Sequence, residues 1–567
     1  MNIQVFLNTN VTSRLVSDPL SEALILIDDP APANQIPCVP SSGNSCAVVG
    51  TGASTGVNFK SGGVTNVFQG RNGGANSLLW LGVPIDPPGT NGTRTIRITN
   101  VRANANALGT SSTLIPTQIQ MFISITPPQS LPLNNPQQTV AFVANGLSFS
   151  LRKPDNSDTL ASGGQTFLQC VSNNSTAFGD PTKAFSTSSS SSGFGGIQST
   201  AAFIARFREG FASAFRRRNI ALATTTGGAV DVNTSPTPIA QDAPGGVCSS
   251  GSPVPAGTCP ANNYFTETGF YNPAFTSTNG LKSAGLADFG TRLMLRFANV
   301  PAGATPFVPT VDSTGKARLV STDASGGGSF STVSATNSNG YAPVTITAGG
   351  GVAVYEVMNS DPLATDDILV PVVLAYTANT GASPALPALG AATISGSFAP
   401  LSTVTTQSAS APLPRFADSP TTGTGFVLNP CSTNLLFPFV TAQAGFDTGI
   451  AISNTSLDPF GTATQQGACT MYYYGNTNGG AAPAAATSPV VPAGTTLAFL
   501  LSSGGSGVAA TPGFQGYMIA RCAFQYAHGF AFISDAGANR LAEGYLALIL
   551  DAGIGTRTGF ASEVLAH

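Results

Sequence analysis

Alternation with a period of two runs through this chain and commits most of it to strands. In TQIQMFISI (117–125), Ile119, Met121, Ile123 and Ile125 fall on one face, and Gln118, Gln120 and Ser124 fall on the other. That is the pattern of a half-buried strand. TRTIRITNV turns Ile96 and Ile98 inward and Thr95, Arg97 and Thr99 outward. TVAFVANGLSFSLR sets Asn145-Gly146 between Val140/Phe142 and Leu147/Phe149/Leu151. Both turn residues tolerate positive φ, so this stretch predicts a hairpin. The last third repeats the pattern in NLLFPFV, TGIAIS, CTMYYYG, TTLAFLLS, GYMIARCAFQYAHGFAFIS and GYLALIL. The fold class that follows is mainly β, a set of Ig-like β-sandwiches.

One segment breaks the period. STAAFIARFREGFASAFRRRN spaces Phe203, Phe207, Phe211 and Phe215 by four, with Arg216, Arg217 and Arg218 at its end. The spacing predicts one amphipathic helix over about 199–218, docked by its phenylalanines, with the arginines at the negative end of the helix dipole. The resulting division is an N-terminal sandwich (1–160), a Ser/Gly-rich connector with the helix and a disulfide loop (161–285), a second sandwich (286–405) and a C-terminal sandwich (415–567). GTRTIRITNV (92–101) is echoed by GTRLMLRFANV (290–300), which suggests a related plan for two of the domains.

Composition narrows the function. At 567 residues the chain can bury several cores, yet only 9% of it is charged, against roughly 25% in ordinary domains. A surface so poor in charge repels its own copies weakly. The net charge of −3 argues against a nucleic-acid partner, which needs a basic face to displace counterions. No run approaches the roughly 18 apolar residues of a membrane helix. The first 20 residues lack a basic start and an apolar core, so they do not read as a signal peptide; the chain is expected to be exported and already trimmed.

The cysteines fit that compartment. Cys38 with Cys46, and Cys248 with Cys259, bracket short turn-rich loops and predict two disulfides. Zinc is the competing use, but no CxxC occurs and there are two histidines in the chain. Cys170, Cys431, Cys469 and Cys522 remain, with three possible pairings; Cys522 is expected to meet Cys469 or Cys431.

NLLFPFVTAQAGFDTGIAISNTSLDPFG together with QGYMIARCAFQYAHGFAFISDAG resembles a recurrent C-terminal segment of uncharacterised secreted bacterial β-rich proteins. It covers roughly the last 140 residues. The resemblance implies a surface or extracellular location and no activity.

Catalytic constellations are thin. In RCAFQYAHGFAFIS, Cys522 and His528 share strand parity, but six residues of one straight strand would hold them roughly 20 Å apart. His528, between Tyr526 and Phe530, reads as a neutral core histidine. His528 and His567 alone could serve a triad, and glutamates are few, with Glu356 and Glu543 read as lone surface residues. In NSDPLATDD, Asp361, Asp366 and Asp367 offer hard oxygen ligands for calcium without EF-hand spacing, so a solvated turn is the better reading. Alternation sets Tyr472 and Tyr474 opposite Tyr473, which makes a weak sugar platform. No catalytic residue, metal or cofactor is expected, and the chain is not expected to be an enzyme.

The start is more informative. NIQVFLN alternates Ile3, Val5 and Leu7 with Asn2 and Gln4, an apolar strand that could complete its own sheet or be donated to a neighbour's. Donation repeated head to tail does not close and makes a fibre. The expectation is an extracellular structural protein, a self-assembling subunit of a surface filament or layer whose partners are copies of itself, with Ile3, Val5 and Leu7 as anchors. The alternative is a monomeric adhesin or carbohydrate-binding surface protein whose loops at 226–285 and 475–494 meet glycans.

Overall fold

The structure, a computed structural model, describes the chain apart from 31–33, 39–58, 60–63, 85–91, 112–114, 127–130, 171–172, 174–200, most of 217–286, short loop stretches between 329 and 538, and 551–567. It is nearly all β. The first unit holds β1 (Asn2–Leu7), β2 (Leu15–Ser17), β3 (Leu20–Ile27), β4 (Val67–Gly74), β5 (Ser77–Trp80), β6 (Ile96–Thr99), the short helix α1 (Ala105–Leu108), β7 (Thr117–Thr126) and β8 (Gln137–Val143). These strands form one eight-stranded sheet in the order β2-β3-β4-β5-β1-β7-β8, with β6 also on β3. Ile3, Val5, Leu7, Ile25, Ile27, Phe68, Trp80, Ile119 and Met121 pack on its inner side.

The second unit is a two-sheet sandwich. Its strands include β9 (Leu147–Arg152), β10 (Gln165–Leu168) and β11 (Ala201–Glu209). Four two-residue strands follow, β12 (Ile220–Ala221), β13 (Ala223–Thr224), β14 (Val230–Asp231) and β15 (Thr237–Pro238), paired among themselves. The rest are β16 (Arg292–Ala298), β17 (Thr305–Pro309), β18 (Ala317–Val320), β19 (Tyr341–Pro343), β20 (Gly351–Val357), β21 (Asp367–Ala375), β22 (Gly390–Ala399) and β23 (Thr421–Asn429). One sheet runs β10-β23-β22-β16-β20-β18 and the other β19-β17-β21-β11-β9. Phe149, Phe203, Phe207, Leu295, Val372, Ile394 and Phe426 fill the space between. Two glycines make this packing possible: a Cβ on Gly396 would sit 2.1 Å from the Phe149 ring, and one on Gly425 would sit 2.4 Å from Ile394.

The third unit contains β24 (Thr433–Thr441), β25 (Asp447–Asn454), β26 (Cys469–Thr477), β27 (Ala486–Thr487), β28 (Thr496–Leu500), β29 (Phe514–Cys522), β30 (Ala527–Ser534), β31 (Ala542–Leu546) and β32 (Leu548–Leu550). Sheets β27-β26-β29-β24-β32 and β28-β25-β30-β31 enclose Leu435, Phe437, Ile452, Met471, Phe514 and Met518.

Several expectations are corrected here. Most of the segment expected as a helix is the interior strand β11, paired antiparallel with β21 and β9. Spacing by four satisfies two strand repeats as well as one helical turn. The period-two signature is missing because β11 is covered on both faces: Ala201 to Ala205 are all buried. The phenylalanine stripe then divides. Phe203 and Phe207 enter the core, Phe211 is exposed, and Phe215 is buried beyond the strand. Arg217 and Arg218 lie outside the described residues.

The Asn145-Gly146 hairpin does not form either. β8 pairs β7, and β9 pairs β11, so the dipeptide crosses from the first unit to the second. Phe149 and Leu151 gain more by joining the larger core than by lying beside β8, most of which is outside any core. Unit boundaries move with these strands: β9 leaves the expected 1–160 domain, β10 and β11 leave the connector, and β23 belongs to the second sandwich rather than to 415–567.

The units are tied together. Glu22 is fully buried; its carboxylate accepts hydrogen bonds from Arg14 N (2.9 Å), Arg102 Nε (2.8 Å) and Gly285 N (3.0 Å). Cys170, just after β10, is disulfide-bonded to Cys431, which stands between β23 and β24. This bond clamps the joint between the second and third units. Cys469 and Cys522, opposite each other on β26 and β29, form the other described disulfide. Cys38 is disulfide-bonded; Cys46, Cys248 and Cys259 lie outside the described residues.

Candidate functional site

β8 forms one edge of the first sheet, and this edge is the candidate site. Between Arg102 and Arg152 the chain contains no Asp, Glu, Lys or Arg. β7 and β8 therefore present a surface without charge. Their register pairs Gln118 with Phe142, Gln120 with Thr139 and Phe122 with Gln137 on the outer face. A bulge after Ile119 leaves Val140 as the extra residue. Val140, Phe142 and Phe122 are 49%, 60% and 46% exposed. On the inner face Val143 reaches the core, while Ala141 and Gln138 are exposed. β8 thus projects beyond its own core with both faces in water.

Amide ladders rigidify it. Gln137 Nε2 donates to Gln120 Oε1 (2.7 Å) and Thr139 Oγ1 donates to Gln118 Oε1 (2.9 Å). Asn8 Nδ2 donates to Gln118 O (3.0 Å), and Asn8 Oδ1 accepts from Gln120 N (3.0 Å), which ties β7 to the end of β1. No described strand pairs with the outer edge of β8. Natural edges are guarded by charge, brevity or cover. β18 has Arg318, β31 has Glu543, and β9 is covered where Leu160 N donates to Leu151 O (2.8 Å). Among the described residues β8, seven residues long, carries neither charge nor cover, and its one guard is the bulge at Val140.

The N-terminal anchors sit elsewhere. Ile3, Val5 and Leu7 are buried at 2%, 0% and 3% exposure, on a strand flanked by β5 and β7 of the same chain. The Met1 ammonium donates to Val83 O (2.6 Å), and burial lowers its pKa. β1 completes its own sheet.

The remaining candidates have structural occupations. Glu356, expected at the surface, is fully buried on β20 and pairs with the equally buried Arg292 (3.0 Å). Asp366 pairs with Lys316, and Asp367 accepts from Arg206 at 3.0 and 2.8 Å. Asp361 Oδ1 accepts from Leu363 N (2.9 Å). Among the described residues no group of His, Cys, Asp or Glu is arranged to hold a metal.

The Cys522–His528 stretch is not one strand. β29 ends at Cys522, a turn follows with Tyr526 at φ 64°, and β30 starts in the other sheet at Ala527. The turn reverses the expected faces. Ala527, Gly529 and Ala531 point inward, and His528, Phe530 and Phe532 point outward. Gly529 is the reason: a Cβ there would meet Phe437 at 2.7 Å and Ala547 at 2.8 Å. His528 is therefore exposed rather than a core histidine.

Sequence reasoning identified β7 and β8 as strands and missed the edge. The absence of charge from 103 to 151 was the available signal. No family model and no curated protein matches the chain.

Proposed function

We propose that this protein is an extracellular structural subunit that assembles with copies of itself by pairing of the β8 edge. The observation that carries the reading is an uncharged edge strand that exposes Val140 and Phe142 and has no described strand on its outer side. Such an edge is a template for a second chain. Two disulfides fit an oxidising compartment. Among the described residues no helix is long and apolar enough to cross a membrane.

Edge pairing is favoured over donation of β1 by a count of ladders. Donation removes β1 from both β5 and β7 and uncovers Ile3, Val5 and Leu7. Edge pairing at β8 breaks no hydrogen bond within the subunit. Pairing of β8 with a different edge of the next copy does not close and grows a filament.

The test is negative-stain microscopy and sedimentation of purified protein at neutral pH without reductant, beside Val140→Lys/Phe142→Lys. The wild type forms filaments or sheets, and the variant stays dispersed with an unchanged circular dichroism spectrum. Assembly that survives both lysines, or a wild type that stays monomeric at every concentration, rules the reading out. Deletion of residues 1–10 separates the two modes. With β1 in the middle of the sheet, it unfolds the first unit; a folded, unassembled product would point back to strand donation.

A further inference from the structure

The three consecutive tyrosines of β26 are split by the pleat. Tyr473, 6% exposed, points into the core and meets Phe514 edge-on at 5.3 Å. Burial pushes its hydroxyl up to about 12. Tyr472 and Tyr474 emerge on the opposite face, 37% and 44% exposed. Tyr474 lies opposite Tyr517 of β29, and the two rings stack at 4.9 Å with an interplanar angle of 13°. On the next strand a bulge in β24 leaves Pro438 and Phe439 opposite Tyr517, and Phe439 is 46% exposed. An aromatic row therefore crosses three adjacent strands.

Among the described residues, polar groups without carboxylates border this row. On one side Asn476 faces Gln515, and both are exposed. On the other side, beyond Tyr472 and Ile519, Arg521 stands between Thr470 and Asn434. The hydroxyls of Tyr474 and Tyr517 and the Gln515 carboxamide have no hydrogen-bond partner among the described residues.

We infer that this face binds an extended neutral polysaccharide. The C–H face of a pyranose is apolar and lies against an aromatic ring, while its hydroxyls need neutral groups that both donate and accept. Carboxamides and tyrosine hydroxyls do both. The sheet offers such contacts at about 4.8 Å between strands and about 7 Å along a strand. Repeated shallow contacts suit a chain, whereas a small sugar needs a concave pocket. The face is also neutral where the row is densest, which gives an acidic glycan nothing to pair with there.

The test is affinity electrophoresis and pull-down of the full chain with neutral polysaccharides: cellulose, chitin, mannan, starch and a soluble β-glucan. At least one is expected to retain the wild type. Tyr474→Ala/Tyr517→Ala weakens retention tenfold or more, Tyr474→Trp/Tyr517→Trp preserves it, and Phe532→Ala in the opposite sheet leaves it unchanged. Both tyrosine variants keep the wild-type circular dichroism spectrum, since the rings are exposed. The inference is overturned if none of the five is retained, or if the double alanine variant binds as the wild type does. It is equally overturned if retention occurs only on anionic polysaccharides and vanishes with Arg521→Ala. Lost self-association in the double alanine variant without any glycan retention would make the row a contact between copies instead.

Discussion

Replacing Glu356 by glutamine tests the core of the second unit. Glu356 and Arg292 are both fully buried, on adjacent strands β20 and β16. The carboxylate accepts from Arg292 Nε (3.0 Å) and Gly290 N (3.0 Å), and Arg292 also donates to Gly326 O (2.9 Å) and Gly328 O (3.0 Å). Glutamine retains the shape and removes the buried carboxylate charge that faces the guanidinium. Removing one member of a buried pair costs about 3–5 kcal/mol. The three units need not unfold together, so a single melting temperature would blur the effect. Amide hydrogen exchange read on peptides covering 292–298 and 351–357 isolates it. At about 1.4 kcal/mol per factor of ten, exchange through the opened state should speed up by about a hundred- to several-thousand-fold. The exposed Glu543→Gln should change exchange less than about threefold, as surface substitutions usually stay within about 0.5 kcal/mol. A single variant whose exchange matches the wild type within tenfold would refute the reasoning.

Other perturbations bear on packing, the joint and pH. Gly396→Ala places a methyl group into the Phe149 ring and should cost about 1–3 kcal/mol, whereas Gly163→Ala meets open space; a thermal shift assay that ranks them equally would contradict the packing. Cys170→Ser/Cys431→Ser opens a closure of 261 residues, for which chain entropy sets a loss of about 5 kcal/mol; proteolysis near residues 430–432 should accelerate, and unchanged cleavage would show that the clamp does not hold the joint. Burial pushes the Asp312 carboxyl up, against hydrogen bonds from Thr314, Ala317 and Leu369 that pull it down. A raised folded pKa means that stability from this group is present below the unfolded carboxylate range, about 4, and is lost as pH rises through the folded value. Asp312→Asn should flatten that part of the calorimetric pH profile of the second unit, and an unaltered profile would remove the assignment.

What the sequence by itself determined was local. Alternation named β7, β25 and β26 as strands, because a pleated strand with one wet face must alternate. Low charge marked the kind of surface. Where both faces of an element are buried, alternation vanishes, so β11 looked helical through Phe203 and Phe207. Tertiary structure alone decided pairing. Asn145-Gly146 allows a hairpin, but the larger core claimed Phe149 and left β8 as an edge. The same holds for Glu356, whose burial depends on an arginine from another strand, and for Cys170, whose partner lies 261 residues away. The tyrosine row belongs to this class as well. Alternation on β26 separated Tyr473 from its neighbours, but only the register with β29 and the bulge in β24 brought Tyr517 and Phe439 alongside, since residues distant in sequence meet only when the sheet closes.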